Sequence, residues 1–351
     1  MNLGEISLPR SNQPRSETIS SSEVPAILRL SPWQTPRGVW LRKRGDDEQV
    51  ETAAMRRGTA AEAVIDQWYC WHGHDGNPPI CHVPGLRYGD QPVQGPEPWM
   101  VCSPDAMCHD GSAWYIVEYK TSAQPWSKLP DYYEAQVRWQ LACIAIADYA
   151  VVFALTGLPE VVDQMLGSDD INIRQRGQNV LHILLECGQV KPQVFILKRD
   201  ARQEWEIVER VKAWRDLHIV VGVEPEIEAG DLPAVEGAWR ALETTNESEV
   251  QVAPSDGEIV SLAANLVVAE ANAKAADDAA KQARAQFLAS WASAFSGAHT
   301  LRLPDGSKIT YKQQAGRSSI DTERLRQDYP AIAAEYTKQG APFRTLRIGS
   351  K

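Results

Sequence analysis

Residues 101–122 read VCSPDAMCHDGSAWYIVEYKTS, and the fold class follows from how that stretch is parsed. Pro104 has a fixed φ and biases Ser103 towards extended geometry, so Asp105 enters a strand. Twelve residues separate Asp105 from Glu118, with His109, Asp110 and Gly111 in the place of a turn. That length suits a β-hairpin with Asp105 near the start of one strand and Glu118 on its partner. Alternation along WYIVEYK (114–120) then sets Glu118 and Lys120 on one face and Tyr119 on the other.

Two carboxylates and an ammonium at one spot are costly to desolvate without a compensating ion. A hard divalent cation with oxygen ligands supplies that compensation. The lysine can then orient or help deprotonate an attacking water and stabilise a negatively charged transition state. Taken alone, the spacing also fits a surface hairpin with a Glu/Lys pair, since short patterns arise by chance.

Outward from the hairpin the chain alternates helix and strand. SSSEVPAILRL (20–30) and GTAAEAVIDQWYCW (58–71) read as helices, and so does LPDYYEAQVRWQLACIAIA (129–147). DYAVVFALTG (148–157) and QVFILKRD (193–200) read as strands. This order predicts an α/β domain with a mixed sheet. A Pro/Gly/Glu-rich stretch at 223–237 marks a boundary. Beyond it the Ala-rich 261–295 reads as one long helix, TLRLPDGSKITYK (300–312) as a hairpin, and the following SSIDTERLRQDYP as a capped helix closed by Pro330.

Several motifs, in order, resemble the lambda exonuclease/YqaJ viral recombinase family of the PD-(D/E)xK nuclease superfamily. These are ISSSEV with Ser22, GTAAE with Glu62, CSPDAM with Asp105, EYK with Glu118 and Lys120, and YYEAQVRWQ with Gln136. Arg15 lies seven residues before Ser22, where members of the family often place an arginine that holds a 5′ phosphate. The sequence departs from the pattern at Ala106, where the family favours glycine, and residues 159–190 look like an insertion.

The resemblance implies a restriction-endonuclease-like core with a central mixed sheet flanked by helices, followed by a C-terminal helical arm and a small α+β module. Its expected divisions are a flexible arm at 1–16, the exonuclease domain at 17–225, a linker with the long helix at 226–298, and a basic hairpin-helix module at 299–351. It also implies a 5′-to-3′ double-strand DNA exonuclease that generates 3′ single-stranded tails for recombination by strand annealing. Asp105, Glu118 and the Tyr119 carbonyl would hold Mg²⁺, for which Mn²⁺ is a substitute. Glu62 would complete a second metal position or hold a water. Lys120 and Gln136 would serve the water and the scissile phosphate, and Arg15 and Ser22 the 5′ phosphate. The implied partners are DNA ends, a single-strand annealing protein and two further copies of the chain in a ring. An endonuclease of the same core, or an inactive DNA-binding adaptor, are the competing functions.

The charge balance neither requires nor opposes this. There are 36 Lys and Arg against 46 Asp and Glu, a net charge of −10, yet residues 299–351 hold ten basic and five acidic residues. The six cysteines form no CxxC pair, which fits reduced thiols in a cytoplasm, that of the bacterial host for a phage-encoded chain. Cys70, His72, His74, Cys81 and His82 have zinc-ligand chemistry, but their spacing matches no standard structural zinc site. RGVWLRKR (37–44) fits a DNA-backbone contact and a solvated helix end equally. Trp68, Trp71, Trp114, Trp126 and Trp139 read as core or interface aromatics. No run of about 18 apolar residues suggests a membrane span.

Overall fold

The computed structural model describes residues 8–45, 51–84, 92–122, 124–232, 235, 256–295, 299–311 and 322–337. Its contacts divide the chain into two units, Met1–Trp239 and Arg240–Lys351. The first begins with β1 (Ile19–Ser20), α1 (Val24–Ile27), α2 (Pro36–Arg44) and α3 (Ala53–His72). Strands β2 (Cys81–Pro84), β3 (Val93–Gln94), β4 (Met100–Cys102), β5 (Ala106–His109) and β6 (Trp114–Ser122) follow. Then come α4 (Asp131–Cys143), β7 (Ala147–Thr156), α5 (Glu160–Leu166), α6 (Ile171–Glu186), β8 (Gln193–Lys198) and α7 (Ala201–Arg215).

The quoted stretch folds as the expected hairpin, with Ala106 opposite Val117 and His109 opposite Trp114. Its turn is tied by Asp110, whose Oδ1 accepts from Ser112 N, Ser112 Oγ and Ala113 N at 2.7–2.9 Å. Gly111 sits there at φ 101°, a conformation that L side chains rarely adopt. The hairpin lies in a five-stranded sheet of order β2-β5-β6-β7-β8. β6 and β7 are parallel across nine partners, joined through α4, and the other pairs are antiparallel. A smaller sheet of order β1-β4-β3 stands beside it. The α/β class with a mixed sheet is therefore what the sequence predicts.

Alternation along the strands creates two cores. Met107, Ile116, Ala150 and Val152 pack in one cluster with residues of α1, α4 and α7. Ala106, Cys108, Tyr115, Val117, Tyr119, Val151 and Phe153 pack in another with residues of α3, α5 and α6. Fully burying each large apolar side chain contributes about 1.5–3 kcal/mol, so both faces of the sheet must be covered. Here the apparent insertion at 159–190 finds its role: it forms α5 and α6. Val162, Leu166, Leu181 and Leu185 close the second core. Gly177 permits the two helices to meet, since a Cβ there would stand 3.0 Å from that of Met165.

Two expectations change. The predicted helix at 20–30 shrinks to α1, because Glu23 bends back to accept from Ser20 N at 2.8 Å and helical geometry starts only at Val24. Residues 9–11, expected within a flexible arm, hydrogen-bond along β3 through Gln94 N to Pro9 O and Ser11 N to Pro92 O. Of the tryptophans expected as core or interface aromatics, Trp139 is fully buried while Trp71 is 74% exposed.

In the second unit, α8 (Gly257–Ala294) precedes a hairpin of β9 (Thr300–Arg302) and β10 (Lys308–Thr310), then α9 (Thr322–Asp328) and α10 (Pro330–Tyr336). Pro330 opens a second helix after α9 rather than only closing the first; proline is tolerated in a first turn. By length and composition α8 can cross a membrane, its most apolar window having a mean hydropathy of 1.2, where no such segment was expected. The interruptions by polar residues hid it from a count of consecutive apolar positions.

Candidate active site

The site begins where β4 leaves the small sheet and enters β5. The Ser103-Pro104 link delivers Asp105, 8% exposed, beside the middle of β6. Its Oδ2 accepts from Tyr119 N at 2.7 Å. One residue earlier on β6, Glu118 is 4% exposed. Its Oε1 accepts from Lys120 Nζ at 2.5 Å and Gln136 Nε2 at 2.6 Å, and its Oε2 from Gln140 Nε2 at 2.8 Å. Lys120 and Glu118 are therefore on the same side of the strand. Tyr119 turns into the opposite core, where its hydroxyl donates to Asp66 at 2.9 Å.

The electrostatics follow from these contacts. Burial by itself would lower the Lys120 pKa, but the carboxylates of Glu118 and Asp105 outweigh it and hold the ammonium above its ordinary value. The cation also stands 4.9 Å from the centroid of the Tyr133 ring, a further favourable contact. Burial, then the Asp66 carboxylate, raise the Tyr119 phenol well above its usual range.

Beside this cluster opens a cleft of about 690 Å³, lined among others by Arg42, Glu62, Tyr119 and Lys120. Glu62 thus reaches the site from α3, on the far side of the sheet from Gln136. Arg15 and Ser22 do not line the cleft among its described residues. The Arg15 side chain is exposed and its carbonyl accepts from Lys43 Nζ at 2.9 Å. Ser22 Oγ lies 3.1 Å from Ser20 Oγ. The basic run 37–44 is mostly turned to internal contacts. Arg37 binds Glu224, Lys43 binds Glu23, and Arg44 lies over the buried Trp40. Arg42 is the member of that run that reaches the cleft.

Two groups escaped the sequence reading. Gln140 follows Gln136 by one helical turn, and the i,i+4 spacing on α4 that brings both amides to Glu118 was legible in principle. Glu23 and Lys43 form a buried ion pair, 2.8 Å apart with side chains 3% exposed each. Nothing in their spacing signals it. In the described part of the Cys/His loop, His74 Nδ1 meets Tyr69 Oη at 2.8 Å and His72 stacks on Trp68. The side chains of Cys81 and His82 lie outside the described residues. Among the described residues no group of three or more His, Cys, Asp and Glu side chains is disposed to hold an ion.

Residues 12–150 match the family model of the YqaJ-like viral recombinase domain. No curated protein matches the chain in sequence. Among solved structures it is similar to an alkaline exonuclease, LHK-Exo, from Laribacter hongkongensis, with 14% identity, a TM-score of 0.39 and coverage of 65% of this chain and 96% of that one. The LHK-Exo complex with dAMP gives 14% identity, a TM-score of 0.38 and the same coverage. The span of the family match takes in Asp105, Glu118 and the residues gathered around them, so the similarity to the YqaJ-like viral recombinase domain covers the candidate site.

Proposed function

We propose that this chain is a metal-dependent DNA exonuclease with a PD-(D/E)xK core in residues 17–225. The observation that supports it most is the environment of Glu118. A buried carboxylate accepts from a lysine and two glutamines on one strand–helix pair, with Asp105 tied to the next backbone amide.

The donors suit a hard cation, because Asp105, Glu118, Glu62 and the Tyr119 carbonyl all offer oxygen. A carboxylate has about four acceptor positions. Three of those on Glu118 are taken, leaving room for an ion held jointly with Asp105. Its remaining shell would be water and phosphate oxygen, as is usual for Mg²⁺, or Mn²⁺ in its place. Such an ion, when bound, supplies Lewis-acid polarisation of the phosphate and a more acidic water. The chain does the rest. Lys120 stabilises charge developing on the phosphoryl oxygens and orients the water, and Gln136 and Gln140 hold Glu118 in one rotamer. Glu62 completes a second ion position or orients the water from the α3 side. The water oxygen bonds to phosphorus, the bond to the 3′ oxygen breaks, and a 5′ nucleotide leaves.

On the family reading, the enzyme digests 5′ to 3′ as a homotrimeric ring and hands 3′ tails to a single-strand annealing protein. Arg15 and Ser22 hold the terminal 5′ phosphate; Arg42, on the cleft, is the other candidate. Arg15→Ala should slow digestion of 5′-phosphorylated ends to the rate on 5′-hydroxyl ends, and unchanged preference would transfer that role to Arg42.

The deciding experiment compares 5′-phosphorylated linear duplex, nicked circle and covalently closed circle with Mg²⁺. Linear duplex should be degraded to mononucleotides and closed circles spared. Cleavage of closed circles would make the chain an endonuclease, and near-wild-type digestion by Asp105→Asn would remove the catalytic assignment.

A further inference from the structure

One wall of the cleft is aromatic. Trp33, in the loop between α1 and α2, is 71% exposed. Its ring meets Tyr132 edge-on at 4.9 Å between centroids and Tyr133 at 6.4 Å. Trp126 packs against Tyr133 at 5.2 Å, and Lys120 Nζ stands over Tyr133. Rings therefore run without a gap from the rim to the cation of the site.

The wall is held in place before any ligand arrives. The side-chain amide of Gln193 grips the main chain of Trp126, accepting from its N at 3.0 Å and donating to its O at 2.7 Å. Thr156 Oγ1 fixes that amide at 2.7 Å. Tyr132 and Tyr133 project from the first turn of α4. A large apolar ring left in water beside a fixed polar site marks a binding surface. The occupant must offer planar apolar faces and negative charge together, because Arg42 and Lys120 line the same cleft as the rings. An unpaired nucleotide has both.

We propose that Trp33, Tyr132 and Tyr133 form a stacking ledge for the bases of the frayed strand end whose phosphate reaches Lys120. The inference rests on the nuclease reading and names its substrate form: a strand end with bases out of the duplex. Since every base has a π face, the ledge is tolerant of sequence but demands a base.

The test uses full-length protein without divalent metal, so that binding is read apart from cleavage. The probe is a duplex with a short 5′ overhang ending in 2-aminopurine, and a second duplex has abasic sites in the overhang. Wild type should quench the 2-aminopurine and bind the intact overhang at least about tenfold more tightly than the abasic one, as loss of a base stack implies. Trp33→Ala should lose that preference, and Trp33→Phe should restore most of it. Equal binding of intact and abasic overhangs by wild type, or full preference in Trp33→Ala with Tyr132→Ala, overturns the ledge and leaves the exposed ring to a protein partner. With Mg²⁺ added, a chain that discriminates but never cuts refutes the nuclease reading and keeps the ledge. One that cuts without discriminating does the reverse.

Discussion

Gln140 donates through Nε2 to Glu118 Oε2 at 2.8 Å, and both side chains are almost wholly buried, at 0% and 4%. Among the described residues the amide oxygen, Oε1, has no hydrogen-bond partner, so the bond to Glu118 is the hydrogen bond that orients the group. A bond to a charged acceptor contributes about 1.5–3 kcal/mol, and more is lost when the acceptor stays buried unpaired. Gln140→Leu should lower turnover by an order of magnitude or more with little change in KM for DNA, because the carboxylate loses its fixed rotamer. Gln140→Glu should be worse, since it sets a second carboxylate against Glu118. Steady-state kinetics on linear duplex check both; a Gln140→Leu chain as active as wild type would exclude a role for Gln140 in positioning.

Lys43 places its Nζ 2.8 Å from Glu23 Oε2 and donates to the carbonyls of Arg15 and Thr18 at 2.9 and 2.6 Å. Burial lowers its pKa despite the opposing pull of Glu23. Removing one member of such a buried pair typically costs about 3–5 kcal/mol. Lys43→Met should lose about that much in chemical denaturation, and Lys43→Met with Glu23→Leu should regain part of it. Because the same ammonium pins the Arg15–Thr18 segment, the single variant should also blunt any preference for 5′-phosphorylated ends. Stability within 1 kcal/mol of wild type, on the scale of an exposed pair, would show that the pair is not buried in solution.

The hairpin turn gives a pH prediction. Burial is the largest single influence on Asp110 and opposes its ionisation, but bonds from Ser112, Ala113 and Tyr149 together outweigh it and depress its pKa far below the ordinary carboxylate range. A depressed pKa means that the folded state binds a proton less readily than the unfolded one. The stabilisation is therefore present in full above the unfolded value near 3.8 and is lost as pH falls below it. Asp110→Ala should lower Tm at pH 7, and the gap to wild type should close towards pH 2. A gap independent of pH would show that the turn owes nothing to the ionised form.

How legible the site was depends on how local its causes are. Asp105, Glu118 and Lys120 were readable because one hairpin fixes their relation, and strand alternation decides the face. Gln136 needed the family pattern, although α4 presents it to Glu118 by helical spacing alone. The Glu23–Lys43 pair was hidden because 19 residues and a change of element separate its members. Trp126 was read as a core or interface aromatic, and its place on the cleft depends on Gln193, a residue 67 positions away that grips its backbone. The role of 159–190 was invisible for a similar reason: its apolar face has meaning only once β6 and β7 present a second face to cover.

The last prediction concerns the second unit. All the residues gathered at Glu118 and along the cleft lie no later than residue 140, and the elements that cover both faces of the large sheet end with α7. The described part of the second unit keeps its own contacts, with Trp291 6% exposed and packed near Phe287 and Tyr311. Chemistry therefore does not require it, and a chain ending at Trp239 should remain folded and cut linear duplex at a rate within a few-fold of the full chain. What should change is recruitment: α8 leaves Ile259, Leu262 and Val268 exposed, and the 299–351 module is basic on an acidic chain. Processivity on long duplex, or capture of a strand-annealing partner, should fall. Near-UV circular dichroism, a digestion time course and a chase with excess competitor DNA separate the outcomes. An insoluble or inactive truncated chain would make the second unit part of the nuclease fold, and unchanged processivity together with unchanged partner capture would leave it no role in recruitment.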